Sequence, residues 1–84
     1  MASIRRQVAD LIRDRDDVFD EDQAHEIINS EAFGALVYRI REHRDATGDT
    51  PADVFDALDE DDLKFAADRA DNPAAFLAAK IRDL

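Results

Sequence analysis

The sequence predicts an all-α fold: a small single domain of five to six short helices in orthogonal or irregular packing. Three observations carry that expectation. Apolar residues recur every three to four positions along the chain, and no stretch alternates as a half-buried strand does. A polar cap followed by a helical apolar period occurs six times. The length, 84 residues, is that of one domain spanning residues 1–84. A chain this short buries only about 60–65% of the surface its unfolded form exposes, so its stability margin is thin. Twenty-two Ile, Val, Leu, Phe and Tyr residues supply one small core, and fifteen alanines let helices approach closely.

The first helix is capped by Ser3 and carries Ile4, Val8, Leu11 and Ile12 at i, i+4, i+7 and i+8. Arg15-Asp16-Asp17 ends it. Asp20 with Gln23 forms a capping box for a second helix, with Phe19 and Ala24 at the staple positions and Ala24, Ile27 and Ile28 inward. Asn29-Ser30 breaks the chain, and Ser30 is expected to cap a third helix. There Phe33, Leu36, Val37 and Ile40 form the clearest buried stripe, and Gly34 weakens the helix or marks a close crossing. Residues 45–50 read as the one real loop. Thr50 and Pro51 then open a fourth helix with Val54, Phe55 and Leu58 inward. Asp59 is expected to cap a fifth, with Leu58 and Leu63 as its staple. Asn72-Pro73 opens the last, with Phe76, Leu77, Ile81 and Leu84 inward.

Charge is the most informative part of the composition. Sixteen Asp and five Glu face two Lys and nine Arg, a net of −10. The excess is spread over the chain, −4 in residues 1–42 and −6 in residues 43–84. A surface negative all round repels nucleic acid backbone, so direct nucleic-acid binding is not expected. The bias to Asp and Arg together with abundant Ala resembles the proteomes of salt-loving archaea and their viruses; a high-GC bacterial origin gives some of the same bias. Stability that rises with salt follows from it. There is no Cys, hence neither a disulfide nor a thiolate metal site. Met1 to Arg6 leads into mixed charges rather than an apolar run, unlike a secretory signal. No apolar stretch is long enough to span a membrane. A cytoplasmic protein or a virion component, neither secreted nor membrane-bound, is the expectation.

The motifs that carry chemistry elsewhere are incomplete here. His25-Glu26-Ile27-Ile28-Asn29 lacks the second histidine of the zinc-protease helix, and His43 is eighteen residues away. Asp14, Asp16, Asp20 and Asp22 echo the alternate oxygen ligands of an EF-hand loop. Val18 and Phe19, however, stand where it needs an oxygen ligand and Gly. With two glycines in all there is no phosphate loop, and neither Ser3 nor Ser30 has a histidine at a recognisable spacing. No enzyme activity, cofactor, metal or small-molecule substrate is therefore expected.

Three groups of residues stand out as possible partner contacts. Phe65 lies about 160–200° from the face formed by Leu63, Ala66, Ala67 and Ala70, so either it is a contact for a partner or the helix is sandwiched, its alanine face against one neighbour and Phe65 against another. The second reading is the expected one. Asp59, Glu60, Asp61 and Asp62 form the densest acidic run; they suit a helix's first turn and would also serve a basic partner. Tyr38, Arg39, Arg41, His43 and Arg44 gather positive charge at the end of the third helix, where it complements the dipole and where Tyr and Arg also suit an interface. A non-enzymatic domain acting through protein–protein interaction or self-assembly is the leading expectation, as an accessory subunit, a viral structural component or a regulator. The alternative is an acidic DNA mimic occupying the nucleic-acid site of a DNA-binding protein. A helix-turn-helix reader built from residues 51–82 fails on charge.

Overall fold

The computed structural model describes residues 3–84, so Met1 and Ala2, which belong to the reading of the N-terminal run, lie outside the described residues. Among the described residues six helices follow one another: α1 (Ile4–Asp14), α2 (Glu21–Asn29), α3 (Phe33–Thr47), α4 (Pro51–Ala57), α5 (Glu60–Asp68) and α6 (Pro73–Arg82). No strand occurs among the described residues, and the principal extents are 30 × 27 × 23 Å. The chain is an all-α irregular bundle. No described helix is long and apolar enough to cross a membrane.

Four helix starts are closed by the side chain the sequence pointed to. The Ser3 hydroxyl accepts from the Arg6 N–H at 3.2 Å. Asp20 and Gln23 close a reciprocal capping box at 2.7 and 2.9 Å, and Thr50 and Asp53 close another at 3.2 and 3.1 Å. Asn72 accepts from the Ala75 N–H at 3.2 Å. Each such cap satisfies backbone donors that otherwise have no intrahelical partner.

The other two starts correct the expectation. Ser30 does not cap α3: its hydroxyl takes the Ala32 N–H at 3.1 Å in a tight turn, and the helix begins three residues on, at Phe33, with Ala32 in the cap position. Asp59 sits at the N-cap of α5, but its carboxylate makes no capping hydrogen bond. The expected 45–50 loop is also shorter than its composition implied. α3 runs on to Thr47, whose hydroxyl donates to the His43 carbonyl at 2.9 Å. Gly48 then terminates it in the left-handed region at φ 81°, its N–H on the Arg44 carbonyl at 2.7 Å. Gly34 marks no close crossing, since a Cβ built there meets nothing within 4 Å.

The core gathers around α3. Phe33, Leu36, Val37 and Ile40 are buried as the period requires, and α3 packs against α1, α2, α4 and α6. Val8, Ala9 and Ile12 arrive from α1, Ala24 and Ile27 from α2, and Val54, Phe55 and Leu58 from α4 and its end. The Arg5 guanidinium lies 4.9 Å from the centroid of the buried Phe33 ring, closing one side of the core with a cation over an aromatic face. On α6 the buried stripe is Ala74, Leu77, Ala78 and Ile81, a regular i, i+3, i+4, i+7 pattern. Small alanines let α6 lie close to α3, and that displaces the expected assignment. Phe76 is pushed to the flank, half-buried, and Leu84 is 51% exposed instead of inward.

Candidate docking surface on α5 and α6

α5 is the peripheral helix of the bundle. It packs chiefly against α6, and a tie to α2 is added by the Gln23 side-chain amide, which donates to the Ala67 carbonyl at 2.8 Å. Leu63 and Ala66 are its buried residues. With so few neighbours, a large side chain off the Leu63–Ala66 face has little to cover it.

Phe65 is that side chain. Its ring meets a neighbouring helix, as expected, but that helix does not cover it. Its ring packs on Phe76 of α6 with centroids 4.9 Å apart and planes tilted by 34°, yet it remains 44% exposed. Lys80, one turn after Phe76, brings its Nζ to 5.5 Å from the Phe76 centroid and to 3.7 Å from Asp62 of α5. The two rings thus form a small apolar ledge across α5 and α6, edged by an interhelical ion pair. Beside it lies a shallow depression of about 210 Å³ lined by Asp61, Lys64, Phe65, Asp68 and Arg69.

The acidic run divides into paired and unpaired groups. Lys64 lies 3.5 Å from Glu60, and Lys80 meets Asp62. Asp59 and Asp61 are exposed, and neither has a cation within 4 Å among the described residues. The three acids of the first turn, Glu60, Asp61 and Asp62, complement the positive end of the helix dipole.

The basic corner on α3 is largely neutralised where it stands. Arg39 pairs with Glu42 at 3.3 Å, Arg44 with Asp45 at 3.6 Å, and His43 Nε2 lies 3.2 Å from Asp49. Tyr38 is 59% exposed with the Arg39 guanidinium 5.7 Å from its ring centroid, and Arg41 is exposed without an ion-pair partner among the described residues. Tyr38 takes no part in the Phe65–Phe76 ring contact.

The remaining polar motifs are used in local structure. The Asn29 amide lies 3.0 Å from His25 Nε2 and donates to the His25 carbonyl at 3.0 Å, so the H-E-x-x-N turn closes on itself. Asp20, one of the four alternating aspartates, is committed to its capping box. Among the described residues no three His, Asp or Glu groups converge as metal ligands. The Arg15 guanidinium, bonded to Asp17 at 3.1 Å, holds that carboxyl below its ordinary value of 3.8. A depression of about 380 Å³ between α1 and α2 has the buried Phe19 and Ala24 under an exposed rim that includes Arg13, Asp16 and Glu21. It presents no buried polar group to a ligand.

No protein-family model, curated protein or solved structure matches this chain.

Three residues of the ledge were not singled out from sequence: Phe76, Lys80 and Asp68. A signal for the first existed. Once Ala74, Leu77, Ala78 and Ile81 are taken as the stripe, Phe76 falls about 100° from Leu77, on the edge of the helix next to solvent.

Proposed function

We propose that this domain is a non-catalytic protein-binding module that docks a partner on the α5–α6 aromatic ledge. The observation that carries the reading is Phe65: a large ring, half exposed, already fixed against Phe76 on the least-covered helix of the bundle. A pre-positioned aromatic loses little freedom on binding, and aromatic anchors of this kind dominate interface energies. The acidic surface fits a protein working in a salt-rich cytoplasm or virion, where screening leaves apolar docking as the durable attraction.

Affinity capture with the intact protein tests the reading. A partner retained in molar salt and lost, by about tenfold or more in affinity, with Phe65→Ala is the expected result. Phe65→Leu, which keeps an apolar group, serves as a check that the fold is intact and retains most of the binding. A partner indifferent to Phe65 refutes the ledge. Release of the partner by added duplex DNA would instead support the mimic reading, and light scattering that shows assembly through α5 would support self-association.

A further inference from the structure

We infer, resting on that docking reading, that the partner segment is basic: an apolar residue flanked by two cationic side chains spaced about 10 Å apart. Asp61, Phe65 and Asp68 stand at i−4, i and i+3, so they share one face of α5. Asp61 and Asp68 are exposed, and neither is ion-paired among the described residues, whereas Glu60 and Asp62 are occupied by Lys64 and Lys80. The aromatic ring is thus bracketed by two uncompensated carboxylates. Seven residues of helix separate them by about 10.5 Å. Two cations match that spacing at i and i+7 of a helix, where they also share one face with an apolar residue between them.

The surroundings deepen the same bias. Residues 59–71 hold six acids and two bases, a net of −4 in a chain of −10. A second copy is a poor occupant. A two-fold axis through Phe65 with antiparallel α5 helices would set Asp61 against the other copy's Asp68, like charge on like charge. Nucleic acid is opposed by the same carboxylates. Arg69 is the one base in the depression with no ion pair among the described residues, and it works against an incoming cation. Its removal therefore strengthens binding, an effect that purely apolar docking does not produce.

The test uses the intact protein and synthetic peptides followed by fluorescence anisotropy. One helical peptide presents leucine between two arginines seven positions apart; the second replaces both arginines with glutamate; the third replaces leucine with serine. The arginine peptide is expected to bind at least about tenfold more tightly than the glutamate peptide at 0.1 M salt. Asp61→Asn and Asp68→Asn each weaken it about two- to fivefold, and Arg69→Gln tightens it about twofold. Equal binding of the arginine and glutamate peptides, or none by the arginine peptide at millimolar concentration, overturns the inference. Insensitivity of the arginine peptide to Phe65→Ala and to the loss of its own leucine instead overturns the docking reading beneath it.

Discussion

The charge on this protein makes a quantitative prediction about salt. With principal extents of 30 × 27 × 23 Å, the native state approximates a sphere about 13 Å in radius carrying ten net charges. Its Coulomb self-energy in water is about 8 kcal/mol at 0.05 M salt, where the Debye length is about 13 Å, and about 2 kcal/mol at 2 M. The unfolded chain, with a radius of gyration near about 29 Å, carries only about 1.5 kcal/mol at the lower salt and a few tenths at the higher. Repulsion that opposes folding therefore falls by about 5 kcal/mol across the range. This is an upper limit, because among the described residues seven Lys or Arg ion pairs set cations beside carboxylates and a smeared charge ignores them.

Half that gain raises the melting temperature by at least about 10 °C, since about 1 kcal/mol moves a domain of this size by about 4–8 °C. Thermal unfolding followed by circular dichroism in KCl or NaCl from 0.05 to 2 M measures it. Salts also stabilise proteins by exclusion from their surface, with sulfate stronger than chloride. The two causes separate by charge number. Self-repulsion varies with the square of net charge, so Asp61→Asn with Asp68→Asn, which takes −10 to −8, lowers the salt-dependent gain by about a third. Exclusion leaves it unchanged. A melting temperature flat over the range, or a rise untouched by the double substitution, refutes the electrostatic account.

Two further outcomes follow from local geometry. Thr50→Ala opens a closed capping box and should cost about 1 kcal/mol in chemical denaturation, while Asp59→Ala, at a cap position without a side-chain bond, should change stability by less than about 0.5 kcal/mol. The Asp17 carboxyl is held below its ordinary 3.8 by Arg15, so the folded state favours its ionised form. That contribution is present above the ordinary value and lost as pH falls through the lowered one. The gap in melting temperature between wild type and Asp17→Asn should accordingly be largest near neutral pH and close in acid.

Helix existence was legible because local and tertiary signals agree. Ser3, Asp20, Thr50 and Asn72 each precede an apolar stripe that the core uses, so propensity, capping and burial select the same starts. Legibility failed where one residue type serves two local geometries. Ser30 suits a helix cap and a two-residue turn equally, and only the direction in which α3 leaves the turn decides between them. Residues 45–50 carry Asp, Thr and Gly, which read as loop. The Thr47 hydroxyl finds a carbonyl one turn back, however, and only Gly48 has the backbone freedom that ends the helix.

The ledge was half legible for a reason rooted in alanine. Period alone places Phe65 off the Leu63–Ala66 face, which flags the ring without naming its neighbour. The neighbour depends on which residues of α6 face α3, and there Ala74 and Ala78 compete for the interior with Phe76 and Leu84. Hydrophobicity ranks the larger residues first. Packing reverses that order, because two small side chains on one stripe permit a close helix approach that two large ones forbid. Once Ala74 and Ala78 face α3, Phe76 has nowhere to go except the flank beside α5. Phe65 meets it there, and the pair stays partly in water because α5 has little else around it. Exposure of the ledge is thus a consequence of alanine packing on the opposite side of α6. Enlarging Ala78 should disturb the Phe65–Phe76 contact without touching either ring.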